Sequence, residues 1–69
     1  MHYKEDPDYQ TLRSSAVQQD AHANVQCGQT QTGFYTSLVL PNKDVRIKVR
    51  AKTLEGSLIA AMSALECFQ

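Results

Sequence analysis

The sequence predicts a small α+β fold: a two-layer sandwich with an N-terminal helix, a two- or three-stranded antiparallel sheet containing a hairpin over 34–51, and a C-terminal helix packed on that sheet. Three observations carry this expectation. Two adjacent segments alternate apolar and polar residues with a period of two, "FYTSLVL" and "VRIKVRA", joined by the turn-forming "PNKD". An alanine-rich segment, "TLEGSLIAAMSALECFQ", repeats its apolar residues at helical spacing. Near the start, "DPDYQ" has the composition of a helix N-terminus.

A length of 69 residues predicts a single domain, 1–69. A domain of this length buries only about 60% of the surface its unfolded chain exposes. Small cores of this kind commonly lean on a staple, a metal or a partner, so a homodimer or a docked complex is expected.

Residues 1–6 read as a frayed polar tail. Asp6 then caps the free amides of a helix, and Pro7 suits its first position because the missing N–H would be unsatisfied there anyway. That helix runs to about His22. Its apolar stripe, Tyr9, Leu12, Ala16 and Val17, is thin, so its stability depends on tertiary contacts. The following "NVQCGQTQTG" reads either as a loop or as a first strand that turns at Thr32 and Gly33.

In "FYTSLVL" the residues Phe34, Thr36, Leu38 and Leu40 share one face; in "VRIKVRA" the residues Val45, Ile47, Val49 and Ala51 do so. A four-residue connection sets Leu40 opposite Val45, then Leu38 opposite Ile47, Thr36 opposite Val49 and Phe34 opposite Ala51. Both apolar faces therefore coincide. The same register pairs Val39 with Arg46, Ser37 with Lys48 and Tyr35 with Arg50 on the other face.

The last segment reads as a helix from about Leu54 to Phe68 with Thr53 as N-cap. Leu54, Leu58, Met62, Leu65 and Phe68 form its stripe, flanked by Ile59 and Ala61. About 22 Å of helix matches about 23 Å of seven-residue strand, so the helix can cover the hairpin lengthwise.

Seven basic and seven acidic residues cancel, yet they are unevenly spread. Lys43, Arg46, Lys48, Arg50 and Lys52 fall in ten positions against Asp44 alone, whereas the first twenty positions are net acidic. An even row of cations on an outer strand face keeps an edge soluble and discourages strand-to-strand pairing. Set beside Tyr35 and Val39, the row also forms an aromatic and arginine cluster of the type enriched at protein interfaces. The candidate partner-binding residues are Tyr35, Val39, Arg46, Lys48, Arg50 and Lys52. An acidic protein would be drawn to such a face and oriented on it.

The function expected from the sequence is a non-catalytic protein-binding module, a regulator or inhibitor of the antitoxin, anti-activator or mobile-element inhibitor type. The alternative is a nucleic-acid-binding module in which the basic strand 45–52 tracks phosphates and Tyr35 stacks on a base. Zero net charge and a single exposed aromatic on that face speak against the alternative.

No nucleophile with a neighbouring base, paired carboxylates in an apolar setting or phosphate-cradling glycine run occurs, so no enzyme and no cofactor are expected. His2 and His22 read as solvated. Cys27 and Cys67, forty positions apart, match neither zinc nor redox spacing and read as free thiols, with no metal expected. The longest apolar runs, "LVL" and "LIAAM", are far short of a membrane span, and no basic segment leads into an apolar one. A soluble protein in the cytoplasm is the expected setting.

The run "KTLEGSLIAAMSAL" after a basic strand resembles the double-stranded-RNA-binding domain, whose last strand leads into an alanine-rich helix. The resemblance covers the second half of the chain, and the family's phosphate-holding lysine pair is matched here by Thr53 and Leu54, with Lys52 nearby. "YTSLVLPNKDVRIKVRAKTLEGSLIAAMSALE" is also similar to the antitoxin domain of the HicB type, with the spacing altered by about two residues. Both are likenesses of shape and neither transfers a function.

Overall fold

A computed structural model describes residues His2–Phe68, so Met1 of the expected tail lies outside the described residues. The order is helix α1 (Pro7–Gln19), strands β1 (Asn24–Gln29), β2 (Phe34–Leu40) and β3 (Val45–Ala51), then helix α2 (Leu54–Glu66). The strands form one antiparallel sheet in the order β1-β2-β3. Both helices lie on the same face of it. No helix among the described residues is long and apolar enough to cross a membrane.

Asp6 caps α1, its carboxylate accepting the Asp8 N–H at 2.8 Å, and Pro7 takes the first helical position. Ahead of the helix, Tyr3–Glu5 form a short 3-10 turn, and the Tyr3 ring meets Tyr9 edge-on with centroids 5.1 Å apart. The helix ends at Gln19 rather than near His22. The Asp20 carboxylate accepts the His22 N–H at 2.9 Å, a side-chain turn that competes with another helical residue. Tyr9, Leu12 and Ala16 are buried, but Val17 is 37% exposed and does not belong to the core stripe.

Residues 24–29 are a strand. Leu38, Thr36 and Phe34 of the central strand need a partner on their second side, and β1 supplies it through the pairs Val25 with Leu38, Cys27 with Thr36 and Gln29 with Phe34. The connection to β2 is closed by the Thr30 N–H donating to the Gly33 carbonyl at 2.7 Å. The β2–β3 register agrees with the expected one at every position, from Leu40 with Val45 to Phe34 with Ala51. Between them Pro41–Lys43 form a 3-10 turn, and Asp44 at φ 54° adopts the left-handed conformation that short polar side chains tolerate.

Thr53 caps α2 by accepting the Gly56 N–H at 3.0 Å. The helix stops at Glu66, and its buried face is Ser57, Leu58, Ala61 and Leu65. Phe68, placed in the expected stripe, is 52% exposed beyond the helix end, and the flanking Ile59 is 59% exposed. The face rotates because Ser57 sits in the core as part of a polar chain. Ser57 Oγ donates to the Leu54 carbonyl at 2.8 Å and, with its one proton used, accepts from Thr36 Oγ1 at 2.8 Å. Thr36 in turn accepts from the Cys27 thiol at 3.4 Å. Burial raises the Cys27 pKa against the lowering contact with Thr36, and the charge of Asp6 raises it further, which keeps the proton in place for that contact.

A second polar clamp closes the opposite end of the sheet. Buried Asp20 accepts from the Asn42 backbone N–H at 2.7 Å and from Asn42 Nδ2 at 2.8 Å, joining the α1–β1 connection to the β2–β3 turn. Burial opposes the charge, yet the donors from His22 and Asn42 outweigh it and hold the Asp20 carboxyl below its ordinary value. A lowered folded pKa gives stability that is complete above the unfolded value of 3.8 and is lost as the pH falls through the folded one. In melting curves followed between about pH 2 and pH 7, Asp20→Asn is therefore expected to melt lower at neutral pH and to lose less on acidification than the wild type. Parallel curves for the two proteins would contradict the clamp.

Candidate functional site

The helices close one sheet face and leave the other open. Inward residues are buried on β1 and β2 (Val25, Cys27, Thr36, Leu38, Leu40) and half-buried on the edge strand β3 (Val45, Ile47, Val49). The outward rows are Asn24 and Gln26 on β1, Tyr35, Ser37 and Val39 on β2, and Arg46, Lys48 and Arg50 on β3. Alternation within each strand forces this division, because successive side chains point to opposite faces.

Three rows of side chains make up the open face. Its middle row holds the short side chains Ser37 and Val39, both half-buried. On one side of it lie the exposed amides of Asn24 and Gln26, and on the other the exposed row Arg46, Lys48 and Arg50, whose side chains recur about every 6.8 Å along the strand. Tyr35 stands at one end of the middle row. It leans over Gly28 of β1, where a Cβ would strike the Tyr35 ring, so only glycine leaves room for the ring in this pose. The Lys48 ammonium stands 4.7 Å from the ring centroid, within cation–π range.

Five of the six residues singled out from the sequence share this face: Tyr35, Val39, Arg46, Lys48 and Arg50. Two details differ from the expectation. Arg50 is the registered neighbour of Tyr35, yet Lys48, one pair along on the diagonal, reaches the ring. Lys52 falls outside the row, because β3 ends at Ala51 and Lys52 lies exposed in the bend that leads into α2.

Sequence reasoning missed Asn24, Gln26 and Gly28, all of which depend on β1 being a strand. The available signal was Gly28 itself: a glycine inside a strand marks a place where another group approaches closely. Among the described residues no three His, Cys, Asp or Glu side chains gather as metal ligands. Cys27 is buried and Cys67 is exposed, each a free thiol.

Fold and face together define a small α+β module with two helices behind a three-stranded sheet and an open, basic sheet surface in front. No family model, no curated protein and no solved structure matches the chain.

Proposed function

We propose that this chain is a non-catalytic protein-binding module that regulates or inhibits a partner by laying its open sheet face on an acidic surface of that partner. One observation carries the reading: Arg46, Lys48 and Arg50 form an exposed row beside Tyr35 and Val39, on the one sheet face that no helix covers. Opposed charge supplies orientation and a fast encounter, while the tyrosine and the arginines supply contact area and directed hydrogen bonds. The zero net charge of the chain and the single aromatic on this face favour a protein contact over nucleic acid. The small core supports a homodimer as the working form, and the two free thiols fit a reducing compartment such as the cytoplasm.

The test is capture from an extract of the source cells, with and without nuclease and at two salt concentrations, using the wild type and Arg46→Ala/Arg50→Ala. The double variant is expected to stay folded, since exposed substitutions usually change stability by no more than about 0.5 kcal/mol each, and to lose a discrete protein that the wild type retains after nuclease treatment. Recovery of nucleic acid alone, vanishing steeply with salt, would replace this reading with the nucleic-acid one. Unfolding of the double variant would show the arginines to be structural.

A further inference from the structure

On the side away from the basic face, the two helices leave a cleft of ≈ 250 Å³ between them. Buried Leu58 and half-buried Met62 of α2 form its apolar floor, and Ile59, 59% exposed, stands at its lip with Thr11 of α1 on the other side. Asp8 from the first turn of α1 and Glu66 from the last turn of α2 line the same cleft, and no basic residue does.

Two features of this cleft select its occupant. Its volume is below the range of about 300–1,000 Å³ usual for drug-sized ligands, so it suits one or two apolar side chains delivered by a larger molecule. Its charge is of one sign, and part of that charge is badly placed for the fold. Asp8 sits at the favourable positive end of its helix, but Glu66 lies at the negative end of α2, where the last turn has no basic residue to offset it. A cation brought to Glu66 relieves that opposition. Methionine at the floor adds a side chain that adjusts to the shape it meets.

We infer that the α1–α2 cleft is a second docking site, which takes a cationic amphipathic helix of a partner protein: an apolar side chain enters over Leu58 and Met62 beside Ile59, and flanking lysine or arginine side chains meet Asp8 and Glu66. A helix laid between two helices is a common mode of peptide recognition, read through apolar anchors three and four residues apart. With this site the module has two working faces of opposite charge on opposite sides, and it can hold an acidic protein on the sheet and a basic helix on the helical layer together.

The experiment uses the full chain, labelled with 15N, and a model peptide of about 14 residues in which leucines at helical spacing alternate with lysines, long enough to form a marginal helix. A peptide with the same leucines and glutamates in place of lysines, and a lysine peptide without leucines, are the controls. The Leu/Lys peptide is expected to shift the amide signals of Asp8, Thr11, Ile59, Ser63 and Glu66, and both controls to leave them in place. Asp8→Asn/Glu66→Gln is expected to weaken binding by about two- to thirtyfold, the range for losing two exposed charge pairs, and Ile59→Ser to weaken it as well. Arg46→Ala/Arg50→Ala is expected to bind this peptide like the wild type, which separates this site from the sheet face. Shifts spread over the whole acidic surface, equal binding by the lysine peptide, or undiminished binding by the cleft variants would overturn the proposal. So would concentration-dependent shifts at these residues without any peptide, which would make a second copy of the chain the occupant.

Discussion

Leu65→Ala is expected to lower the unfolding free energy by about 2–5 kcal/mol, the cost of deleting a buried leucine and leaving a cavity behind. Leu65 is 0% exposed and belongs to one continuous core with Leu12, Leu38, Leu40, Leu58 and Ala61, contributed by both helices and the central strand. For a chain of 69 residues the whole stability is on the order of 3–10 kcal/mol at the usual values per residue. Removing this side chain therefore takes away a large share of it. Urea denaturation of wild type and variant measures the difference. A change below about 0.5 kcal/mol, typical of a surface position, would mean that α2 does not pack on the sheet as described.

Gly33→Ala is expected to cost about 1–3 kcal/mol, as overfilling a packed site does. A Cβ on Gly33 would run into the Ala51 carbonyl oxygen, with the Lys52 Cα at 3.1 Å and the Ala51 carbonyl carbon at 3.2 Å. All three obstacles are backbone, so relief requires the end of β3 to move, and with it the Thr53 cap that starts α2. Gly28 offers a contrast. The obstacle there is the Tyr35 ring, a side chain that can rotate away, so Gly28→Ala spares the backbone and disturbs the tyrosine instead. A melting temperature for Gly33→Ala equal to that of the wild type would show that the β1–β2 turn does not approach β3 so closely.

What the sequence disclosed followed from how locally each feature is encoded. The β2–β3 register was legible because two period-two segments and a four-residue turn leave one pairing in which both apolar faces coincide, and Leu40 with Val45 through Phe34 with Ala51 do pair that way. The caps at Asp6 and Thr53 were legible for the same reason, each being a side chain that reaches only two or three residues along its own chain. Strand β1 was not, because "NVQCGQ" has one clear apolar residue besides Cys27 and becomes a strand by pairing with β2. The core role of Ser57 was hidden too: its partner Thr36 is 21 positions away, and a serine in a helix reads as surface until that contact exists. Phe68 was assigned to the apolar stripe and Ile59 to its flank by spacing alone, whereas the helix stops at Glu66, ahead of Phe68, and its buried face runs through Ser57, Leu58, Ala61 and Leu65 and leaves Ile59 outside.

The candidate face was readable in part for the same reason as the hairpin. Tyr35, Val39, Arg46, Lys48 and Arg50 share a surface once the register is known, while Asn24 and Gln26 join it only when β1 is in place. The contact of Lys48 with Tyr35 is a diagonal one that pairing rules do not specify.

The claim that the open sheet face meets a protein partner is tested most directly by placing a photo-reactive benzoylphenylalanine at Ser37, in the middle of the face, and separately at Ser14, an exposed position on α1. Each protein is irradiated in an extract of the source cells and its adducts are resolved by mass. A discrete protein adduct from position 37 that the position-14 sample lacks is the predicted result, because position 14 lies on the helical layer and reports only what binds there. An adduct only from position 14, or only nucleic acid joined at position 37, would contradict it.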